Sequence, residues 1–425
     1  LDKNDQHQFA QTYSLAKGIK ELGVKGEQAA MKEMQQLHER KVFMPININE
    51  LTPLGRKRAL ESLIFLTEKK DGQVKGRKGA NGSTQRTYVN REDAASPTAI
   101  TESIILTSVI EAKEGRDVMV ADVPNAFAQT SIEDNNKGER VIMKIRGPLV
   151  DMLLNLDEEK YEPFVLHEGK SKILFVVMQK ALYGMLQSAL LYYKKFKKDI
   201  EQIGFKINPY NPCVANRMVN GSQHTITWHV DDIKSSHIDE KVNDDFLHWL
   251  QAMYASDGIG QIKASRGLKH NYLGMTLDFS KRGELNLNMT DYIAKMVEEF
   301  PMELKGTTKC AWTDGLFKTE INAKKLGKHQ AAIFHTFVMK GMFLCKRGRQ
   351  DILPGIAFLT TRVTKPDEKD WKKLVRIMTF LKMTQDDTTT LYMDNSKIIK
   401  WYVDAAFAVH TDMKSHTGTV MTLGN

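Results

Sequence analysis

Cysteine is scarce in this chain and never clustered. Cys213, Cys310 and Cys345 lie far apart with no CxxC spacing, which argues against a disulfide framework or a thiolate zinc site and predicts free thiols in a reducing compartment. No run approaches the roughly 18 apolar residues that a membrane span requires. No secretory signal opens the chain, so no membrane partner is expected. The twelve histidines are scattered, and no Ser-His-Asp or Cys-His grouping is visible. What is present is a 425-residue chain, 41% hydrophobic and 27% charged, with a globular protein's balance and length enough for two to four units. Its net charge of +9 suits a polyanionic partner, although many basic proteins are merely soluble. Beginning at Leu1 without methionine and ending at Gly424-Asn425 within a strand-like run, the chain reads as a piece of something longer.

The feature that organises the rest is Thr225-Ile226-Thr227-Trp228-His229-Val230-Asp231-Asp232-Ile233. Its β-branched and aromatic half reads as a buried strand, and it ends in two carboxylates. Successive side chains of a strand point to opposite faces, so Asp231 and Asp232 can approach one site only where the backbone turns. The pair is therefore placed in a tight hairpin turn that strains Val230, since a β-branched residue at positive φ is an outlier. Two further pairs, Asp244-Asp245 and Asp386-Asp387, sit in polar surroundings and read as solvated surface. A second apolar strand, residues 117–122, delivers Asp122 and is stopped by Pro124. Pairing of the two strands in one sheet would bring Asp122 beside Asp231 and Asp232. Like charges that close persist only if cations neutralise them. Carboxylates without His or Cys select hard ions, Mg²⁺ or Mn²⁺, and two such ions form the device polymerases use. His229 is expected to pack beside the hairpin rather than act as a base.

Elsewhere the order is that of an α+β protein with a largely antiparallel sheet. Residues 1–40 read as a helical lead-in or linker. Residues 64–82 read as a hairpin about Asp71-Gly72, studded with Lys69, Lys70, Lys75, Arg77 and Lys78. That hairpin could embrace a phosphate chain or be a solvated basic loop. Helices are expected over 99–112 with Gly115 as stop, from about 189 with Gly204 as stop, and over 245–254, 290–300, 330–346 and 367–383. Strands are expected over 272–277, 284–289 and 398–407, the last carrying Asp404.

Taken in order, Lys-Lys-Asp-Gly with Lys-Gly-Arg, Asp-Val-Pro-Asn-Ala-Phe, Leu-Tyr-Gly-Met-Leu-Gln-Ser, His-Val-Asp-Asp and Tyr-Leu-Gly-Met resemble the reverse transcriptase of copia-type retrotransposons, from about residue 40 onward. The resemblance implies a right-hand polymerase of fingers, palm and thumb, then a connection and RNase H. On that scheme residues 41–300 hold fingers and palm, 301–397 thumb and connection, and 398–425 the start of RNase H. It implies that Asp122, Asp231 and Asp232 bind two Mg²⁺ or Mn²⁺ ions, with the Val123 backbone beside them. Phe127 would be the gate against a ribose 2′-hydroxyl. Lys69 and Arg77 would hold the triphosphate, with Lys180 a lesser candidate. Tyr183 and Gly184 would line the nucleotide and template side, and Leu273 and Gly274 would belong to the primer grip. Asp404 would be the first RNase H acid, and without its companions no RNase H activity is expected.

The partners implied are an RNA template, a DNA or tRNA primer, dNTPs, and the integrase and RNase H parts of one polyprotein. The setting implied is cytoplasmic, within virus-like particles, with access to the nucleus. The chain departs from the family at His229, usually Tyr, and at Leu186, Ala189 and Leu190, which replace Lys, Pro and Arg. A catalytically silent relic that only binds nucleic acid is the alternative, and a palm-type nucleotide cyclase a third reading.

Overall fold

The computed structural model describes residues 12–68, 72–132, 140–255, 260–320, 322–396, 398–408 and 413–424. Among them no helix is long and apolar enough to cross a membrane, and the three cysteines are free thiols. The described residues build four sheets.

The first sheet is seven-stranded and centres on the hairpin of Leu60–Glu68 and Val74–Asn81. Across it lies the helix Leu15–Glu39, bent at Gly23. The helix expected within 1–40 is present, and over its described residues it is docked rather than a free linker. Ala30, Met34 and Leu37 share one core with Leu60, Ile64 and Leu66. Small residues permit the approach: a Cβ on Gly18 would come within 2.8 Å of Leu66, and one on Gly76 would strike Glu33 and the Ala29 carbonyl. A stripe of small and medium side chains carries little hydrophobic mass yet buries well.

The central sheet positions the carboxylates. Its strand order is Lys263–Ser265, Asp117–Asp122, Asp232–His237, Ser222–His229, Val214–Val219, Lys206–Ile207, and every pairing is antiparallel. Alternation sorts its two faces. Met119, Ala121 and Ile233 turn toward the helices Ser188–Gln202 and Glu240–Tyr254, into a core with Tyr192, Phe196, Phe246 and Leu250. Val118 turns the other way, toward the helix Thr101–Glu114 and the third sheet. The helix Thr101–Glu114 ends as its sequence indicates, with Gly115 left-handed at φ 65°. Asp117, at the polar end of its strand, is paired with Arg266 at 2.6 Å and accepts from Asn243 at 2.7 Å.

Lys234 faces that second core and is fully buried. It survives there because Glu111 pairs with it, Oε2 at 2.6 Å, and Thr107 and Ser108 accept further hydrogen bonds.

The third sheet comprises Lys269–Tyr272, Met275–Asp278, Glu284–Asn288 and Thr389–Tyr392. Residues 272–277, expected as one strand, are broken by a turn at Leu273 and Gly274, with φ 48° and 82°. Positive φ at both central residues is the signature of a type I′ hairpin. Four helices, Thr290–Glu298, Lys328–Cys345, Leu353–Thr360 and Glu368–Met383, complete this unit. Leu353–Thr360 carries no expectation from sequence. Last come Ile399–Ala406 and His416–Leu423, a two-stranded sheet in which Asp404 is exposed and pairs with Gly418.

Replacing Glu111 by Ala strands a buried ammonium, so it should cost about 3–5 kcal/mol of unfolding free energy in urea titration. The double change Glu111→Leu with Lys234→Met should recover most of that loss. A single-mutant cost below about 1 kcal/mol would contradict the assignment of this pair as a structural clamp.

Candidate active site

Strands Ser222–His229 and Asp232–His237 are joined by only Val230 and Asp231. Val230 has φ 59°, and Asp231 does not share the positive value, as in a type II′ turn. Such a turn favours Gly at the place Val230 holds, so the strain inferred from sequence is present. The turn delivers the second carboxylate, because the ladder resumes at Asp232, directly opposite His229 on one side and Asp122 on the other. Cross-strand partners share a face. Asp122 and Asp232 therefore sit side by side on the face that carries Val118, and the Val123 N–H donates to the Asp231 carbonyl at 3.0 Å. The backbone of Val123 thus adjoins the turn, while its side chain is buried in the core.

The three carboxylates act on one another. Burial, then the Asp231 and Asp122 charges, pushes Asp232 up to about 6. Burial first, and Asp122 next, also raises Asp231, against stabilising hydrogen bonding and the pull of His229. Among the described residues no three His, Cys, Asp or Glu side chains yet converge into a ready-made metal-binding group. What the fold brings together is the register and the mutual field of the trio. An oxygen-only donor set whose members repel one another fits a hard divalent cation.

A cleft of about 440 Å³ opens beside the turn. Asp231, Val230 and His229 line it on one side, Asn125, Phe127, Leu182 and Tyr183 on another, and Lys75 and Arg77 from the first sheet, with Glu33 from the helix across it, on a third. Phe127 and Tyr183 face one another there, ring centroids 6.1 Å apart, and Phe127 also meets Tyr192 edge-on. Phe127, Arg77 and Tyr183, singled out from sequence, are thus gathered with Asp231. Gly184 is not among the lining residues. Its place is behind the cleft wall, with φ 89°, where a Cβ would collide with the Ala80 carbonyl. That close approach seats the Tyr183 carbonyl on the Ala80 N–H at 2.8 Å. Lys78 points away from solvent, where burial lowers its pKa to about 8 despite Glu33 at 3.8 Å. Lys180 lies outside the cleft, in an isolated bridge with Ser131. Lys69 falls outside the described residues.

Leu273 and Gly274 approach from the third sheet. The hydroxyl of Tyr272, just before them, donates to the carbonyls of Thr227 and Asp232 at 3.3 Å each, tying one hairpin to the other. Asp404 stands in the separate two-stranded sheet, in no carboxylate cluster among the described residues. Sequence reasoning missed Lys263, which the register sets opposite Asp122 on its free side. It missed Tyr272 and Glu33 as well. Only the pairing of distant strands shows Lys263, whereas Tyr272 stood within a quoted motif whose turn was not recognised.

Comparison with known proteins adds relatives but no family model, since none matches. The chain is 22% identical over 245 residues to a transposon Ty5-1 protein of Saccharomyces cerevisiae, covering 57% of this chain and 76% of that one. It is 22% identical over 413 residues to the retrovirus-related Pol polyprotein from transposon TNT 1-94 of Nicotiana tabacum, covering 93% of this chain and 28% of the polyprotein. It is 23% identical to the Ty1-ER2 Gag-Pol polyprotein of S. cerevisiae, over 66% of this chain and 14% of the other. Among solved structures it is similar to a foamy viral protease-reverse transcriptase in complex with dsDNA, at TM-score 0.45 and 12% identity, over 97% of this chain and 79% of that one. These relatives are retroelement proteins, two of them Pol polyproteins, and the chain is similar to them. More narrowly, the likeness supports a copia-type retroelement reverse transcriptase region. It spans less than a third of the full-length polyproteins it matches.

In cation-free buffer the field of the trio should be measurable. Asp232 has its folded pKa above its ordinary 3.8, so the fold prefers its protonated form, and stability falls as pH rises from about 4 through about 6. Asp232→Asn should therefore raise the thermal midpoint at pH 8 in EDTA, with the gain vanishing near pH 4. An equal midpoint for both proteins at pH 8 would contradict the repulsion described here.

Proposed function

We propose that this chain is an RNA-directed DNA polymerase, adding dNTPs to a primer 3′-hydroxyl along an RNA template. The observation that carries the reading is the side-by-side register of Asp122 and Asp232 with Asp231 in the adjoining turn. Residues 41–300 would supply fingers and palm and 301–397 thumb and connection, with the central antiparallel sheet as palm. Asp122, Asp231 and Asp232 would hold Mg²⁺ or Mn²⁺. The chemistry supplied by two such ions bound there is activation of the primer hydroxyl and stabilisation of the departing pyrophosphate.

The chain's own residues do the rest. Arg77, among the cleft's lining residues, would take the triphosphate as a fixed cation, and Lys69 would assist. The incoming sugar would stack against Phe127, whose ring contacts Tyr183 and Tyr192, and a ring held there would exclude a 2′-hydroxyl. The Tyr272 hydroxyl fixes the backbone of Asp232 and so restrains the hairpin that bears the pair. The mainly phosphate contacts of template and primer would make binding fall steeply with salt.

Primer extension on a homopolymer RNA template tests the reading. Asp231→Asn should lower incorporation by at least about a hundredfold, the scale of losing one electrostatic contact to a transition state. Equal incorporation by both proteins defeats the assignment, and template binding without incorporation under any divalent ion would favour a silent relic. Phe127→Ala should relax sugar selection, raising ribonucleotide over deoxyribonucleotide use by about tenfold or more in competition assays. Unchanged selectivity would remove Phe127 from its role as gate.

A further inference from the structure

The carboxylate hairpin has two flanks. The cleft with Arg77 and Phe127 occupies one, and Arg347 approaches from the third-sheet unit without lining that cleft.

Arg347 follows the helix Lys328–Cys345. Its guanidinium lies 3.6 Å over the ring of Phe343, and Nη1 donates to the Phe343 carbonyl at 3.2 Å. Its Nε is buried with no hydrogen-bond partner, and among the described residues the side chain forms no ion pair with a carboxylate. Phe343 in turn stacks on Tyr292, centroids 5.0 Å apart at 29°. It also packs on the Leu273-Gly274 turn so closely that a Cβ on Gly274 would come within 3.2 Å of its Cζ. Tyr272, immediately before that turn, is bonded to the Asp232 carbonyl. A continuous line of packed groups thus runs from the backbone of Asp232 to Arg347. His229, beside the pair, feels the Arg347 charge.

A half-buried guanidinium with an orphaned N–H, its charge met by Glu102 only beyond ion-pair distance, is costly in the free protein. Stacking on Phe343 has already removed much of its rotamer freedom, so an arriving anion meets a fixed donor fork. The anion's chemistry follows from the location. Triphosphate is met by Arg77 across the cleft, whereas Arg347 adjoins the turn tied to Asp232, where a strand ending at the carboxylates would run.

We propose that Arg347 is a phosphodiester contact for the primer strand, holding its 3′ end at the carboxylate hairpin. This rests on the polymerase reading. Fluorescence anisotropy with a labelled DNA primer on an RNA template, in Ca²⁺ buffer, separates the two. Arg347→Gln should raise Kd about tenfold and reduce the slope of log Kd against log salt by about one, with the KM for dNTP unchanged. Arg347→Lys should keep the slope while losing part of the affinity, which controls for misfolding. A methylphosphonate primer, neutral at the phosphates nearest the 3′ end, should bind wild type and Arg347→Gln alike. If Arg347→Gln keeps the wild-type Kd and slope, or changes only the KM for dNTP, the inference fails while the polymerase reading stands. If wild type binds no primer–template at all, both fail.

Discussion

Three carboxylates held within one short stretch of sheet repel one another, and much of the molecule is arranged around keeping them there. Antiparallel register sets Asp122 against Asp232, and a two-residue turn adds Asp231. The buried Lys234 on the same strand does not relieve them. Lys234 shares the face of Asp232, yet its ammonium is taken by Glu111, Thr107 and Ser108. The trio thus keeps its negative field, and that is the condition for binding cations rather than settling into internal ion pairs. Strain at Val230 and raised carboxylate pKa values are two costs of the same arrangement, stored where function needs them.

The cleft depends on close backbone approach as much as on charge. Gly82 and Gly184 each stand where a Cβ would collide with the other segment's backbone, so the Tyr183 loop lies directly on the strand that carries Arg77. That contact sets Tyr183 opposite Phe127 in the cleft that Arg77 and Asp231 also line. Nucleotide recognition in the proposed reaction would come from three separate sheets and loops meeting, none of which holds a site alone.

Much of this was legible in the sequence because it is local. An apolar strand ending in Asp-Asp implies a turn, the turn implies strain at Val230, and Gly115 and Gly204 stop their helices with left-handed φ as glycine signals lead one to expect. The misses have physical causes. Residues 15–39 bury a narrow stripe through glycine contacts with Leu66, which hydrophobic mass does not reveal. The run at 272–277 has strand-like residues on both sides of its turn, and Leu at positive φ gives no sequence signal. Lys263 and Arg347 gain their meaning only from partners far away in the chain, so local pattern could not single them out.

Direct measurement of cation binding tests the central claim. Free Mn²⁺ followed by electron paramagnetic resonance, in the presence of primer–template and a non-hydrolysable dNTP analogue, should show saturable uptake by the wild-type protein. Asp122→Asn combined with Asp232→Asn should abolish that uptake while leaving nucleic-acid binding in place. Undiminished uptake by the double variant would contradict the account, because the cation would then be held elsewhere than on the paired carboxylates.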